Sequence, residues 1–404
     1  MQFEQALLCL SMTVPVSFLN YLGLRLSTGD LSETTTFTPH FRYAKISQLM
    51  ISPESISSQI LRIIDANLNR IGEGLRLLED LARLVLNDAA LTQQLKAMRH
   101  EILESDLAFQ QQLLQYRNSE GDVGITIEAP GEERQRELPI TVVANSRRVQ
   151  ESLRTLEELA KIPGIRLDSE KFKQARFQLY TIEQTLLSNL LRKDKIKHLY
   201  GLYVIVDTQA LKGRSPIEAA RQAIRGGVKT IQLRDKLTNK KELLPIAQQI
   251  RSLCAEYHVL FIVNDYLDLA LATDADGLHL GQEDLPIPVA RKLLPIDKIL
   301  GCSTTSVEQA LTAQSEGADY IAVGAIYPTP SKEAVEVIGM ERLRQIRQAI
   351  TLPLVAIGGI TKNNAAEVVA AGADSVAVIS AILQAEDIEK ATRELVQTLK
   401  HKDE

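Results

Sequence analysis

Residues 201–234, GLYVIVDTQALKGRSPIEAARQAIRGGVKTIQLR, contain the unit from which the fold of the C-terminal half of the chain is predicted. Two short apolar runs, Gly201–Asp207 and Thr230–Arg234, have the length and composition of buried strands. Between them, Ser215-Pro-Ile-Glu218 is a helix start signal, with a capping serine and proline at the first helical position. The stretch therefore predicts a strand, a helix and a second strand.

The same alternation continues toward the C-terminus. Six further strands are predicted, each short, apolar and bounded by turn residues: Val259–Asn264, Gly277–Leu280, Leu300–Ser303, Tyr320–Ile326, Leu354–Gly358 and Ser375–Ile379. Ser306-Val-Glu-Gln309 is a second helix start signal. Eight strand–helix pairs within residues 196–404 predict an α/β fold, a (β/α)8 TIM barrel. A doubly wound open sheet is the alternative, but no GxGxxG follows the first strand.

Residues 50–195 are predicted to form a separate all-α domain. From Ile64 to Val85 the apolar residues recur at alternating steps of four and three, which gives a helix with one buried face. The sequence of residues 65–84 returns at 143–162 with ten of the twenty positions identical, whereas composition alone would give about one or two. We therefore predict a helical bundle with an internal duplication and approximate two-fold symmetry.

Both copies carry the same polar side chains at steps of three residues. They are Asn67, Arg70, Glu73, Arg76 and Glu79 in the first copy, and Asn145, Arg148, Glu151, Arg154 and Glu157 in the second. One interpretation is a ladder of ion pairs along each helix. The other is a cleft on the symmetry axis, in which arginine grips a phosphate. Both interpretations stay open, but a P-loop is excluded because the chain has no GxxxxGK[ST] motif.

Residues 1–49 differ from both regions. Ser27–Thr38 is polar and has neither helical nor strand periodicity, which predicts a disordered leader. A start of translation at Met50 is the alternative interpretation. The most apolar stretch, Ala6–Leu26, is interrupted by Pro15, Asn20 and Arg25, so we expect neither a membrane span nor a signal peptide.

Composition narrows the classes of function. The chain of 404 residues has a formal net charge of −5 and 4% aromatic residues, without tryptophan, which argues against nucleic-acid binding. Its three scattered cysteines (Cys9, Cys254 and Cys302) form neither a disulfide framework nor a CxxC zinc site, and they favour a cytoplasmic protein. We expect small anionic ligands, no nucleic acid and no membrane. A monomer and a homo-oligomer both stay open.

Polar residues follow several predicted strands, at the end of a barrel where catalytic residues usually lie. Gln232, Arg234 and Lys236 alternate along the second strand and its extension, so they share one side of the chain and suit a diphosphate. Asp265 and Asp284 follow the third and fourth strands. Two carboxylates beside substrate phosphates are the usual way in which proteins hold Mg²⁺. We therefore predict a cationic, metal-assisted phosphate site.

A second phosphate site is predicted at the last two strands. Gly358-Gly359 and Ser380 follow them, where (β/α)8 barrels commonly bind phosphate through backbone N–H groups. Lys332, in the loop after the sixth strand, is assigned to the first site. His279 lies within an apolar strand, and we expect it in the core or behind the residues that touch the ligand.

Residues 200–404 resemble thiamine-phosphate synthases over their whole length. The segments QLRDK, ND, HLGQEDLP, YPTPSK, GGI and VISAI stand in that family's order and spacing. The resemblance implies a transferase of thiamine biosynthesis. It would condense 4-amino-2-methyl-5-(diphosphooxymethyl)pyrimidine with a thiazole phosphate and release diphosphate, with Mg²⁺ as cofactor.

The resemblance also implies roles for individual residues. Asp265 and Asp284 would hold the metal, and Arg234, Lys236, Ser303 and Lys332 would be catalytic. The implied substrate-binding residues are Gln232, Leu233, Arg234, Asp235, Lys236, Asn264, Ser303, Thr329, Pro330, Ser331, Lys332, Gly359, Ile379 and Ser380. Ser331 stands where the family commonly has threonine, and it keeps the hydroxyl group.

The helical region resembles a domain that is fused in front of this synthase, notably in cyanobacteria. The resemblance rests on DANLNR, EGLRLLED and DVG, and it implies a hydroxymethylpyrimidine-phosphate kinase. Two alternatives are kept. The barrel could instead be a thiazole tautomerase, which needs acid and base groups but no metal. The helical region could be a non-catalytic interaction module.

Overall fold

A computed structural model gives the fold of residues 57–118, 120–122, 137–329 and 336–400. Within these ranges, a helical bundle is followed by a closed barrel of parallel strands. The predictions for residues 1–49 and for Met50 fall outside the described residues, as do those for Pro330, Ser331 and Lys332. No helix in the described ranges has the length and apolar character that a membrane span requires.

Four of the five described helices of the bundle begin at a side-chain cap. Its described helices are α1 (Ser58–Asp80), α2 (Ala89–Leu103), α3 (Leu107–Tyr116), α4 (Leu138–Leu159) and α5 (Ser169–Lys197), and a turn of π-helix at Leu81–Val85 continues α1. Side-chain oxygens of Ser57, Asp88, Asp106 and Asp168 accept backbone N–H groups at the starts of α1, α2, α3 and α5. These contacts satisfy donors that the first turn of a helix leaves unpaired.

The two copies of the repeat lie mainly in α1 and α4, which confirms the predicted duplicated helical domain. Equivalent apolar residues are buried in both, such as Ile71 and Val149 at the same repeat position. The helices cross closely, because a Cβ added at Gly74 would lie 2.4 Å from Cγ2 of Val149. A single apolar core therefore joins the two copies.

The repeated charges form equivalent ion pairs. Glu79 lies 3.0 Å from Nε of Arg99, and Glu157 lies 2.9 Å from a guanidinium nitrogen of Arg176. Arg76 and Arg154, one turn earlier, contact the same two glutamates. Both carboxylates are buried and engaged by arginine, so the structure favours the ion-pair ladder for this part of the polar set.

The other repeated polar residues make local contacts or are exposed to solvent. The side-chain amides of Asn67 and Asn145 donate to carbonyl oxygens one turn earlier in their own helices, at 2.8 and 2.9 Å. The remaining members, Arg70, Glu73, Arg148 and Glu151, are exposed. The structure thus preserves the symmetry of the pattern and assigns its asparagines to local helix contacts.

The predicted barrel is confirmed. Its strands are β1 (Gly201–Asp207), β2 (Thr230–Arg234), β3 (Leu260–Asn264), β4 (Gly277–Leu280), β5 (Ile299–Thr304), β6 (Tyr320–Val323), β7 (Leu354–Ile357) and β8 (Ser375–Val378). Each strand is parallel to the next, and β8 pairs with β1, which closes the sheet.

The predicted strand bounds differ by one residue at an end in four strands, and β6 ends three residues earlier than predicted. At Gly324 the chain passes too close to Ile357 for a side chain: an added Cβ would lie 2.1 Å from its carbonyl oxygen.

Helices surround the barrel and bury the outer faces of its strands. They are α6 (Pro216–Arg225), α7 (Lys240–Glu256), α8 (Leu267–Ala272), α9 (Ile287–Leu293), α10 (Val307–Ser315), α11 (Gly339–Ala349), α12 (Ala365–Ala370), α13 (Ser380–Leu383) and α14 (Ile388–Lys400). The hydroxyl groups of Ser215 and Ser306 cap α6 and α10 as predicted. Alternate strand residues point inward and form a second core that includes Tyr203 and Tyr320.

The bundle continues into the barrel through α5. This helix runs to Lys197, past the predicted domain boundary between residues 195 and 196, and Leu199 then packs inside the barrel. Nζ of Lys195 lies 2.8 Å from a carboxylate oxygen of Asp297, just before β5. The bundle therefore contacts the N-terminal ends of the strands, whereas catalytic residues of such barrels lie at the C-terminal ends.

Candidate active site

A cavity of about 410 Å³ opens at the C-terminal ends of the strands. Residues from the ends of β2 to β8 line it, together with Ile205 of β1. The structure brings ten of the predicted site residues to its wall: Gln232, Arg234, Lys236, Asn264, Asp284, Ser303, Thr329, Gly359, Ile379 and Ser380. Parallel strands in a closed barrel end on one side, so residues more than a hundred positions apart meet there.

Two residues assigned to substrate binding do not line the cavity. Leu233 alternates with Gln232 and Arg234 along β2, so its side chain points outward into the core beneath the helices. Asp235 is buried and accepts backbone N–H groups of Leu237 and Thr238, at 2.8 and 2.7 Å. Asp235 therefore shapes the turn that carries the neighbouring Lys236. The side chains of Leu233 and Asp235 are buried and do not face the cavity.

The two described cations of the site are held by carboxylates. Arg234 donates to Oδ2 of Asp207, and Nζ of Lys236 lies 2.7 Å from Oδ2 of Asp265. Asp207 also accepts the backbone N–H groups of Gln209 and Ala210, both at 3.0 Å, so its carboxylate is fixed in place. Sequence reasoning missed Asp207, although a carboxylate at the end of the apolar run GLYVIVD is a signal for such a role.

The predicted pair of metal ligands lies together beside Lys236. Oδ2 of Asp284 accepts the backbone N–H of Gly281 at 2.6 Å. Burial and the adjacent Asp265 carboxyl group raise the pKa of Asp284 above its usual value. A cation placed between the two groups would relieve this desolvation and repulsion. The donor set consists of hard carboxylate oxygens, which fits Mg²⁺.

Glycines after β7 bring the backbone to the wall of the cavity. Gly358 and Gly359 have φ angles of 102° and 64°, in the left-handed region that favours glycine. A Cβ added at Gly359 would lie 2.6 Å from the carbonyl oxygen of Pro328 and 2.7 Å from Cβ of Tyr327. The loops after β6 and β7 can therefore pack this closely only with glycine here. Ser380, the first residue of α13, lies on the same wall.

His279 and Ser303 are joined at the centre of the site. Nε2 of His279 lies 2.9 Å from Oγ of Ser303, and its Nδ1 lies 3.0 Å from the hydroxyl oxygen of Tyr320. The side-chain amide of Gln282 donates to the carbonyl oxygen of Ser303 at 2.7 Å. His279 is largely buried but reaches the cavity wall, in line with the expected place behind the ligand-contacting residues. The roles of Tyr320 and Gln282 were not predicted, because a tyrosine in an apolar strand looks like an ordinary core residue.

Two family models match the chain in the two regions described above. The model named thiamine monophosphate synthase matches residues 202–382, which contain the barrel strands and the cavity. The model named ThiD2 family matches residues 62–185, which lie in the helical bundle. The two matches do not overlap along the chain.

Two relatives are named thiamine-phosphate synthase. The thiamine-phosphate synthase of Thermosynechococcus vestitus is 38% identical over 349 residues, which cover 86% of this chain and 97% of that protein. The thiamine-phosphate synthase of Methanospirillum hungatei is 50% identical over 202 residues, 50% of this chain and 98% of the relative. A solved structure of thiamine phosphate pyrophosphorylase from Pyrococcus furiosus is 45% identical, covers 51% of this chain and 98% of its own, and superposes with a TM-score of 0.47.

Proposed function

The chain belongs to the thiamine-phosphate synthase family, a family of transferases, and from this premise we propose the reaction of its barrel. The barrel condenses 4-amino-2-methyl-5-(diphosphooxymethyl)pyrimidine with a thiazole phosphate and releases diphosphate. The observation that carries the proposal is one cavity lined by two cations, by Asp284 and by glycines, with the second carboxylate, Asp265, next to Lys236 and Asp284. A diphosphate needs the first two features, and a second phosphate fits the third.

Arg234 and Lys236 bind the diphosphate in this proposal. A guanidinium group can donate two parallel hydrogen bonds to phosphate oxygens, and Asp207 holds that group in one orientation. Lys332 joins them as a third cation by its position in the sequence. Positive groups that are fixed before the reaction stabilise the negative charge that builds up on the leaving diphosphate.

Asp265 and Asp284 hold Mg²⁺ in this proposal. Among the described residues, no group of three or more potential metal ligands occurs, and two carboxylates leave room for water and phosphate oxygens around a small cation. When bound, Mg²⁺ neutralises charge on the diphosphate. Lys236 lies against Asp265, so it adds a positive charge beside the diphosphate from the protein side.

Substitution at the pyrimidine methylene carbon then proceeds by dissociation. The bond between this carbon and the diphosphate oxygen breaks, and its electron pair leaves with the oxygen. The methylene cation is delocalised over the electron-rich aminopyrimidine ring, and the lone pair of the thiazole nitrogen forms the new carbon–nitrogen bond. The phosphate of the thiazole, anchored near Gly359 and Ser380, places that nitrogen for attack.

The reaction needs no side-chain nucleophile. The thiol of Cys302, which lies within β5, is buried. Because burial raises its pKa to about 11, this thiol stays protonated near neutral pH. A thiazole tautomerase would need acid and base groups but neither the cationic pair nor the carboxylate pair. The presence of both pairs favours the synthase.

The purified full chain tests the proposed reaction directly. Supplied with the pyrimidine diphosphate, the thiazole phosphate and Mg²⁺, it is expected to form thiamine phosphate and diphosphate in equal amounts. Arg234→Met should lower kcat/KM by about 100-fold or more, as removal of a key electrostatic group does. Arg393→Met is the matched control, because Arg393 pairs only with Glu389 on α14 among the described residues and lies outside the cavity. Turnover without diphosphate release would contradict the proposal.

For the helical bundle we propose a hydroxymethylpyrimidine-phosphate kinase, which would supply the diphosphate substrate. The match of residues 62–185 to the ThiD2 family supports this assignment. The ion pairs of Glu79 and Glu157 support the alternative, a non-catalytic interaction module. Full-length protein with Asp284→Ala, given labelled ATP and the pyrimidine monophosphate, should accumulate labelled pyrimidine diphosphate. No labelled product would favour the interaction module.

A further inference from the structure

A row of hydrogen bonds crosses the interior of the barrel and connects two sides of the cavity. Nε2 of Gln232 donates to the hydroxyl oxygen of Tyr203 at 2.9 Å, and the hydroxyl oxygens of Tyr203 and Tyr320 are 3.1 Å apart. The row continues from Tyr320 to Nδ1 of His279 at 3.0 Å, and from Nε2 of His279 to Oγ of Ser303 at 2.9 Å. Its two ends, Gln232 and Ser303, line the cavity, whereas both tyrosines are fully buried beneath it.

The direction of these hydrogen bonds follows from the chemistry of the groups. An amide nitrogen only donates, so the oxygen of Tyr203 accepts from Gln232. The hydroxyl hydrogen of Tyr203 then donates to Tyr320, because a buried hydroxyl without an acceptor is costly. Burial raises the pKa of both tyrosines, so both keep their hydrogens. Tyr320 in turn donates to Nδ1 of His279.

The last hydrogen bond of the row determines whether the hydroxyl group of Ser303 can donate a hydrogen bond to a ligand. In its neutral form the imidazole of His279 carries one N–H, and with Nδ1 accepting from Tyr320 that hydrogen lies on Nε2. In this tautomer Nε2 donates to Oγ of Ser303, so the hydroxyl group of Ser303, which lines the cavity, can donate its own hydrogen to a ligand. Diphosphate oxygens accept hydrogen bonds and cannot donate them, so this is the state of Ser303 that binds a diphosphate.

We propose that Tyr320 and His279 are positioning residues, which fix Ser303 as a donor to the diphosphate and couple it to the amide orientation of Gln232. This inference rests on the synthase reaction proposed above. With Nε2 turned to Tyr203, the amide oxygen of Gln232 is free to accept an N–H of the ligand, such as the amino group of the pyrimidine. A rotated amide would reverse every bond of the row, and Ser303 would then present a lone pair to the diphosphate.

The middle of the row is held by packing that is independent of these hydrogen bonds. The rings of His279 and Tyr320 stack with centroids 5.5 Å apart and planes inclined by 29°. A Cβ added at Gly301 would lie 2.0 Å from Cζ and 2.4 Å from the hydroxyl oxygen of Tyr320. The barrel therefore has glycine at the position where the Tyr320 hydroxyl needs room. Such preorganisation is what a positioning role requires.

Kinetic coupling between the two ends tests the proposal in the full-length protein. Gln232→Leu and Ser303→Ala are measured singly and together, with kcat/KM for the pyrimidine diphosphate as the readout. We expect the fold-decrease in kcat/KM caused by Ser303→Ala to be at least about five-fold smaller in the Gln232→Leu protein than in the unmodified protein. In a Tyr320→Phe background, which lacks only the hydroxyl group, the effect of the double substitution on kcat/KM should equal the product of the two single effects within about two-fold. Coupling that persists undiminished in this background would overturn the proposal.

Two controls separate positioning from a purely structural effect. Tyr257→Phe removes a hydroxyl from an exposed tyrosine after α7 and should leave the coupling unchanged. If Tyr320→Phe does not fold, Tyr203→Phe interrupts the same row one bond earlier. Loss of coupling in Tyr257→Phe as well would count against the row, since that residue makes no contact with it.

The tautomer of His279 gives a test that does not depend on turnover. ¹⁵N NMR of protein with labelled histidine, assigned through His279→Asn, should show the hydrogen on Nε2 in the unmodified protein. A hydrogen on Nδ1 would overturn the proposed direction. An inactive unmodified protein with the expected tautomer would contradict the proposed reaction but leave the hydrogen-bond row supported, so the two failures are distinguishable.

Discussion

Nε of Arg192 lies 3.0 Å from Oδ1 of Asp319, so an ion pair connects the last helix of the bundle to the residue that precedes β6. Both residues are buried, and Arg291 contacts the second carboxylate oxygen of Asp319. The contact lies at the N-terminal ends of the strands, and the cavity lies at their C-terminal ends. The bundle therefore meets the barrel on the side away from the candidate active site.

Arg192→Met should destabilise the full chain without impairing the synthase site. Breaking a buried ion pair typically costs about 3–5 kcal/mol, and the retained Arg291 places this case at the lower end. Denaturant unfolding monitored by circular dichroism measures the loss, with the exposed Lys197→Met as control. A large rise in KM for the pyrimidine diphosphate would contradict the separation of the junction from the cavity.

A shortened chain that begins near Lys195 should fold and make thiamine phosphate from the two preformed substrates. Closure of the barrel leaves no edge strand that the bundle must cover, and all described cavity residues follow Lys195. Product formation and circular dichroism are the measurements. If this protein folds but is inactive, the bundle completes the synthase site and the prediction is wrong.

A chain that begins at Gly201 should be clearly less stable than one that begins at Lys195. It lacks Leu199, which is 1% exposed and packs among the inward-facing residues of the barrel. It also lacks the His198 carbonyl oxygen that accepts the hydroxyl of Thr230 at 2.8 Å. Loss of a buried leucine side chain alone costs about 2–5 kcal/mol. Equal unfolding midpoints for the two proteins would show that these contacts contribute little.

Asp265→Ala and Asp284→Ala should each abolish Mg²⁺-dependent synthesis and leave the fold intact. The two carboxylates lie together at adjacent strand ends beside Lys236, which is where a diphosphate–Mg²⁺ complex would bind. Initial rates over a Mg²⁺ titration give the measurement. Asp268→Ala is the matched control, because Asp268 is an exposed aspartate that pairs with Lys240. Near-normal turnover in both site variants would exclude the metal assignment.

Lys332→Ala should weaken the binding or departure of diphosphate by roughly 2–4 kcal/mol, as the loss of a key electrostatic group does. The expectation rests on the sequence position of Lys332 in the YPTPSK segment. Steady-state kinetics with varied pyrimidine diphosphate give the measurement. Lys362→Ala, which removes an exposed lysine paired with Glu394, serves as the control. An unchanged rate would mean that Lys332 points away from the ligand.

Asp207→Asn should lower kcat/KM for the pyrimidine diphosphate by about ten-fold through Arg234. The variant keeps an oxygen for the N–H groups of Gln209 and Ala210, so the turn after β1 should persist. It removes the negative charge that orients the Arg234 guanidinium group. Kinetics and thermal unfolding are measured together. A large loss of stability without a change in kcat/KM would make Asp207 a residue of structural importance only.

The barrel could be predicted from the sequence because its signals are local. Short apolar runs such as Gly201–Asp207, capping groups such as Ser215, and polar residues at the ends of runs follow from backbone geometry within a few residues. Since parallel strands must end on one side, the meeting of Arg234, Asp284 and Ser380 at one cavity was also predictable. The duplication in the bundle was visible as repeated sequence.

Only the tertiary structure decided which groups pair across the fold. Glu79 and Glu157 bind arginines about twenty residues away on neighbouring helices, which favours an ion-pair ladder for these two residues. The hydroxyl groups of Tyr203 and Tyr320 meet 117 residues apart. Such contacts depend on helix crossing and on the stagger of a closed barrel, and neither leaves a periodic trace in the sequence. The sequence by itself determined the elements and the end of the barrel that carries the site, whereas packing determined the partners of each side chain.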